Sequence, residues 1–226
     1  MSQQFIQLPS LLRADEVTTI INLLGKANFV DGRITASLAA KEVKNNLQVD
    51  ASNTEVLAQV QAMLDHALAS SPLFQAASIP QRVYPFMVSK YSTGKYYGWH
   101  VDSPIMGDPQ MRTDLAMTIF LSDPSTYTGG ELVLQTGGGV INFKPAQGDA
   151  VLYPCQYLHC VNEVKSGERI AAVTWVQSKV KSPEQRQLLF NLNQVHAMLH
   201  HRDMHAPETN LLLQSYSNLI RMWAEV

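Results

Sequence analysis

Three residues of types that hold metal ions stand out near the middle of the chain: His100, Asp102 and, on a later segment, His159. If Trp99 to Asp102 forms a short strand, side chains two positions apart project from one face, so His100 and Asp102 point together. An imidazole beside a carboxylate suits a divalent transition metal better than calcium or magnesium. The pair alone is a weak signal. With His159 it becomes a two-histidine, one-carboxylate set, which leaves up to three positions free on an octahedral ferrous ion. A bidentate 2-oxo acid and dioxygen fit those positions. A structural zinc site would be closed and rich in cysteine. Cys160, the neighbour of His159, points to the opposite face of the same strand and is no natural fourth ligand.

Arg169 follows His159 after a turn at Val164 and Lys165, a spacing that predicts a hairpin with Arg169 beside His159 on the partner strand. A guanidinium there can grip a carboxylate through two parallel hydrogen bonds. A dicarboxylate chelating the metal at one end and paired with Arg169 at the other describes 2-oxoglutarate, with Tyr91 a hydroxyl donor to the same molecule. Tyr97, three before His100, is placed either in the pocket or in the core. The polar run Lys44, Asn45, Asn46 reads first as a solvated face. His196 and His200, at i and i+4, resemble a helical zinc pair, yet Ala197 stands where a general-base glutamate would be needed. With His201 and His205 they are expected to be packing or surface residues.

The elements that must position these groups change character along the chain. Leu11 to Ala27 predicts a helix, Phe29 to Asp50 short strands and loop, and Val56 to Leu68 a second helix. That second helix has a capping box at Ser52–Glu55, and Pro72 ends it. Val83 to Tyr91 predicts one strand, and Ser103 to Gln110 a loop over the metal. Leu115–Leu121, Glu131–Gln135, Val140–Phe143 and Ala150–Tyr153 follow as strands between glycine turns. A last predicted hairpin pairs Leu158–Val164 with Ile170–Val176. From Ser182, a capping box with proline at the first helical position, the chain turns helical. The stripe Leu188, Leu189, Leu192, Val195, Leu199 is expected to face the core, and a final helix starts near Pro207. Short strands with glycine turns and no intervening helices indicate an antiparallel sandwich or barrel. The expected division is 1–80 as helical and mixed support, 81–180 as the β core, and 181–226 as a helical appendage.

With 226 residues, 46% hydrophobic and 16% charged, the chain can bury one large core. A net charge of −2 with mixed signs argues against nucleic acid or an anionic membrane as partner. The first residues lack a basic start and an apolar run, so a cytoplasmic location is expected. Cys155 and Cys160 are too few for a disulfide framework and read as inert reduced thiols.

Tyr91, the Gly94 turn, His100-x-Asp102, Thr128-Gly-Gly-Glu131, Gly148-Asp149, His159 and Arg169 together resemble the iron and 2-oxoglutarate dioxygenases of prolyl-hydroxylase type. More narrowly, with Asp31-Gly-Arg-Ile-Thr35, Lys44-Asn-Asn46 and the C-terminal helices, the chain resembles the bacterial PKHD-type hydroxylases. That resemblance implies a mainly β fold with flanking helices around a double-stranded β-helix (jelly-roll, cupin-like) core, and ferrous iron on His100, Asp102 and His159. It also implies 2-oxoglutarate on Arg169, support by L-ascorbate (vitamin C) and an association with iron uptake. Phe120 departs from the eukaryotic pattern, where some enzymes carry tyrosine. The expected activity is oxidative hydroxylation of a peptidyl or small-molecule substrate, consuming 2-oxoglutarate and O2. Two other readings stay open: a module that senses iron or 2-oxoglutarate without turnover, and a cupin-like metalloenzyme without 2-oxoglutarate. A homo-oligomer is left open too.

Overall fold

The computed structural model describes residues 5–36 and 38–225. The first part of the chain supplies β1 (Ile6–Leu8), α1 (Ala14–Leu24), β2 (Phe29–Asp31), a 3-10 turn (Gly32–Thr35) and α2 (Leu38–Lys41). After them come β3 (Lys44–Asn45), β4 (Leu47–Val49), α3 (Thr54–Ala69) and α4 (Pro72–Ser78). Next are β5 (Pro80–Val83), β6 (Met87–Ser92), β7 (Tyr96–His100), β8 (Ile105–Met106), β9 (Met111–Arg112) and β10 (Leu115–Phe120). The remaining strands are β11 (Thr128–Gly129), β12 (Leu132–Thr136), β13 (Gly139–Phe143), β14 (Ala150–Pro154), β15 (His159–Val161), β16 (Val164–Ser166) and β17 (Glu168–Ser178). Two helices, α5 (Pro183–Arg202) and α6 (Pro207–Trp223), close the chain. None of the described helices is long and apolar enough to cross a membrane.

The expected jelly roll is present. An eight-stranded sheet runs β1-β14-β10-β17-β6-β4-β2 with β5 added on β17, and a five-stranded sheet runs β13-β12-β15-β7-β3. Strand alternation sorts the residues of the larger sheet into two layers. Leu115, Met117 and Ile119 of β10, with Ala150, Leu152, Ala172 and Val176, join Ile20, Leu24, Val60 and Leu64 of α1 and α3. Ala116, Phe120, Val151, Tyr153 and Trp175 face the other way and meet Leu132, Leu134 and Phe143 of the smaller sheet. One face of the larger sheet is thus sealed by helices, which frees the other to build a cavity.

Several local expectations change. Pro72 opens a helix of its own, with the Ser71 side chain accepting from the Phe74 N–H at 3.2 Å. The residue capping α3 is Asn53, and the Ser52–Glu55 box does not form. Asn53 instead bridges loops, its Oδ1 accepting from the Asn28 N–H and its Nδ2 donating to the Asp50 carbonyl. The strand expected over Val83–Tyr91 breaks at Pro85, which has no N–H to donate, into β5 and β6, both on β17. The predicted hairpin between Leu158–Val164 and Ile170–Val176 does not exist: β15 pairs with β12 and β7, whereas β17 pairs with β10, β6 and β5. Gly167, at φ +78, turns the chain from β16, which pairs with β11, into β17 of the larger sheet.

In α5 only Arg186 and Leu189 are buried, and Leu188 and Val195 are 46% and 47% exposed. The helix pairs with α6 and leans on α4, so most of its apolar stripe never reaches the β core. Its N-terminus does follow expectation, with Ser182 Oγ accepting from the Gln185 N–H at 3.2 Å.

Gly129, at φ +73, lies so close to the chain that a β-carbon would sit on the Glu163 carbonyl oxygen. Gly129→Ala is therefore expected to cost about 2–4 kcal/mol in urea unfolding. Ser182→Ala, which removes only a cap, should cost about 1 kcal/mol.

Candidate active site

Pairing of β15 with β7 places His159 directly across from His100. The same ladder pairs Val161 with Tyr97, so three steps on β7 match two on β15. That extra residue is a bulge, and it turns Tyr97 and His100 to the same side although they are three apart. Their rings stack at 3.6 Å between centroids, 16° from parallel. Tyr97 therefore lines the cavity rather than the core.

β7 ends at His100, so Asp102 lies beyond it, not on the strand face the spacing suggested. The chain still brings its carboxylate back to the two imidazoles. Asp102 Oδ1 is 3.9 Å from His100 Nε2, and Oδ2 is 3.7 Å from His159 Nε2. All three ligand atoms lie within 4.8 Å of one another. These separations are too long for hydrogen bonds, and Oδ2 is buried with no partner among the described residues.

The imidazoles are oriented by the main chain. His100 Nδ1 donates to the Gly98 carbonyl at 2.8 Å, and His159 Nδ1 to that of Tyr157 at 3.0 Å. A carbonyl only accepts, so each Nδ1 carries the proton and each Nε2 keeps its lone pair toward Asp102. Burial, reinforced by His159 and weakly by Lys44, pushes His100 down to about 3, so it stays neutral at ordinary pH.

Arg169 stands opposite Tyr91 in the β17–β6 register, and not beside His159 as the hairpin expectation had it. The two residues belong to different sheets and meet only because both face the cavity. The guanidinium is 1% exposed and lies between the rings of Tyr91 at 5.1 Å and Phe120 at 5.2 Å. Phe120 thus supplies a stacking face where a tyrosine would supply a hydroxyl. Nε and Nη2 of Arg169 have no hydrogen-bond partner among the described residues. Gly130 makes room for the arm, since a β-carbon there would stand 3.1 Å from Arg169 Cδ. Burial raises the Tyr91 phenol above its ordinary value, with Arg169 opposing.

The cavity contains about 760 Å³ of empty space, its open mouth included. Thr118, Tyr153 and Trp175 also line it, and the sequence reading had not singled them out. Their signal was the alternation of the core strands, which marks them as inward-facing but cannot tell cavity from core. Of the polar run, Lys44 and Asn46 line the cavity, whereas Asn45 accepts from Lys95 Nζ at 2.9 Å. Cys155 and Cys160 are buried, and burial pushes both thiols up, Cys160 to about 11. His196 and His200 sit on α5 with ring centroids 5.8 Å apart.

Residues 86–177 match the 2OG-Fe(II) oxygenase superfamily, and residues 184–225 match the PKHD-type hydroxylase C-terminal domain. A PKHD-type hydroxylase of Synechococcus elongatus is 41% identical over 97% of this chain and 99% of its own length. The chain belongs to the PKHD-type hydroxylases. Another member, YbiX of Shigella dysenteriae, is 39% identical over 97% of this chain and 98% of its own. A solved prolyl hydroxylase from Trichoplax adhaerens shares the fold, with a TM-score of 0.57 at 16% identity over 83% of this chain and 87% of that one. This hydroxylase is accordingly a 2-oxoglutarate-dependent enzyme of the iron(II) oxygenase superfamily.

The residues present fit both groups that the family implies. An unpartnered buried carboxylate oxygen between two oriented imidazole lone pairs is a costly arrangement without a cation. An unpartnered buried guanidinium is equally costly without a carboxylate.

Lys44 is the other buried cation of the hydroxylase cavity, 6% exposed. Burial lowers its ammonium from the ordinary 10.5 to about 8, against smaller opposing pulls from Asp102 and Asp31. The unfolded chain thus binds the proton more tightly. The penalty on folding is fully present below pH 8 and lifts as pH rises toward 10.5. Lys44→Met should stabilise the metal-free protein at pH 7 by on the order of 1–3 kcal/mol. In urea unfolding that advantage should shrink at pH 10.

Proposed function

We propose that His100, Asp102 and His159 hold the ferrous ion, and that Arg169 with Tyr91 grips the distal carboxylate of 2-oxoglutarate. The observation that carries this reading is the Arg169 guanidinium. It is buried, free of any carboxylate among the described residues, and turned into the same cavity as the His-Asp-His set. Bound iron and 2-oxoglutarate supply oxygen activation, with oxidative decarboxylation to succinate and carbon dioxide and hydroxylation of a C–H bond in the primary substrate.

The chain's own part is placement. His100 and His159 offer Nε2 lone pairs whose direction is set by Gly98 and Tyr157. Asp102 adds one negative charge, which lowers the net charge of the centre. Arg169 sets the depth to which the dicarboxylate enters, so its keto end meets the metal ligands. Leu132, Val161 and Val173 line the wall and keep that path dry.

Residues 81–180 carry the chemistry, 1–80 support it and add the Lys44 wall, and 181–226 form a helical appendage. The substrate is peptidyl or a small molecule, the reaction draws on ascorbate to keep iron reduced, and the enzyme works in the cytoplasm in connection with iron uptake.

Two variants test the assignment. His159→Ala removes one of three ligands from an open site, so iron content and succinate formation should both fall to background. Metal analysis after anaerobic loading checks the first and chromatography of the product the second. Normal turnover in this variant would refute the metal assignment. Arg169→Lys keeps the charge but loses the fork. The KM for 2-oxoglutarate should rise roughly a hundredfold with iron affinity little changed. Unchanged 2-oxoglutarate kinetics would move the co-substrate elsewhere.

A further inference from the structure

The cavity holds two buried cations, and 2-oxoglutarate accounts for only one of them. Lys44 stands at the edge of the smaller sheet, paired with Tyr97 across β3 and β7. Its ammonium donates to Thr35 Oγ1 at 3.0 Å and lies 5.2 Å from the centre of the Tyr97 ring. No carboxylate oxygen comes within ion-pair distance of it among the described residues. A buried ammonium with one hydroxyl and one ring face keeps unused donors, and leaving them unused is costly.

Charge balance sharpens the point. A ferrous ion and Arg169, less the charge of Asp102, leave two positive charges, which one 2-oxoglutarate dianion matches. Asp31 is engaged by Arg33. Lys44 is then the uncompensated charge beside the centre. Two residues on, Asn46 is 1% exposed, lines the same cavity, and has both Oδ1 and Nδ2 without partners. The walls nearby are apolar and partly open: Met106 and Val101 line the cavity, and Val101 is 49% exposed.

We propose that Lys44 anchors a carboxylate of the primary substrate, with Asn46 as a neutral hydrogen-bonding partner, so the enzyme acts on acids with an apolar body. This rests on the dioxygenase reading above. A single ammonium beside a hydroxyl, once 2-oxoglutarate has taken Arg169, suits a carboxylate better than a phosphate. The substrate is held at Lys44 by its charge, and its apolar body lies along the apolar walls of the cavity. Lys44 is a binding residue that touches substrate, not the metal or the co-substrate.

The test uses matched probes on the iron-loaded, 2-oxoglutarate-saturated protein without oxygen, read by titration calorimetry. The small-molecule arm compares 4-phenylbutanoate with 4-phenylbutanamide. The peptide arm compares N-acetyl-Ala-Glu-Ala-amide with its Gln counterpart. The acid should bind at least about tenfold tighter than its neutral twin in one arm, and that arm identifies the source of the carboxylate. Lys44→Met should erase the preference and Lys44→Arg should keep it. Equal affinity of acid and neutral twin in both arms, or a preference that survives Lys44→Met, would overturn the proposal. The visible charge-transfer band of the iron–2-oxoglutarate complex separates the two readings. Its absence from the native protein counts against the dioxygenase reading, while the acid–amide comparison on the metal-free protein still decides the role of Lys44.

Discussion

The antiparallel pairing of β7 with β15 is the contact on which the site depends. It sets His100 opposite His159, and its bulge turns Tyr97 to the same side as His100. The carbonyls of Gly98 and Tyr157 then take the Nδ1 protons and leave both Nε2 atoms facing Asp102. A slip of one residue in this ladder would send the imidazole to the far side of the sheet. Edge strand β3 reads the same register, because Lys44 is placed by its pairing with Tyr97.

Around that ladder the fold sustains several buried polar groups without partners among the described residues. Asp102, Arg169, Asn46 and Trp175 each present at least one such atom, and all four line one cavity. Each costs folding free energy, and the remainder of the structure offsets the total through apolar burial. The helix-covered face of the larger sheet makes that possible. Its inward residues from α1, α3, β10, β14 and β17 form a continuous apolar layer that needs no contribution from the cavity side. Stability resides on one face of a sheet and chemistry on the other.

The two sheets also divide the recognition. The smaller sheet, with the loop after β7, presents the His-Asp-His set, Tyr97 and Lys44. The larger sheet presents Tyr91, Phe120 and Arg169. Gly130 admits the Arg169 arm, and Gly129 lets the chain touch Glu163, so the Thr-Gly-Gly turn serves backbone approach and pocket shape together.

Much of this was legible in the sequence because it follows from periodicity and residue chemistry. The apolar, partly β-branched run Leu115–Leu121 marks a core strand, and short strands with glycine turns and no helices between them mark an antiparallel sandwich or barrel. The types His, Asp, His and Arg point to a metal site and a carboxylate grip without coordinates, since few chemistries want that combination. Which strand neighbours which was not legible. Leu158–Val164 and Ile170–Val176 carry every local mark of a hairpin, yet they lie in different sheets because a jelly roll crosses between its layers at the turn. The α5 stripe has helical period but lies largely outside the core, since amphipathicity says that a face is apolar and not what will cover it. Lys44 and Asn46 looked like a solvated run. Pairing of the two-residue strand β3 with β7 buries Lys44, and Asn46 is buried just beyond that strand. Local sequence encodes face and residue type, and only the long-range ladder decides which faces share a cavity.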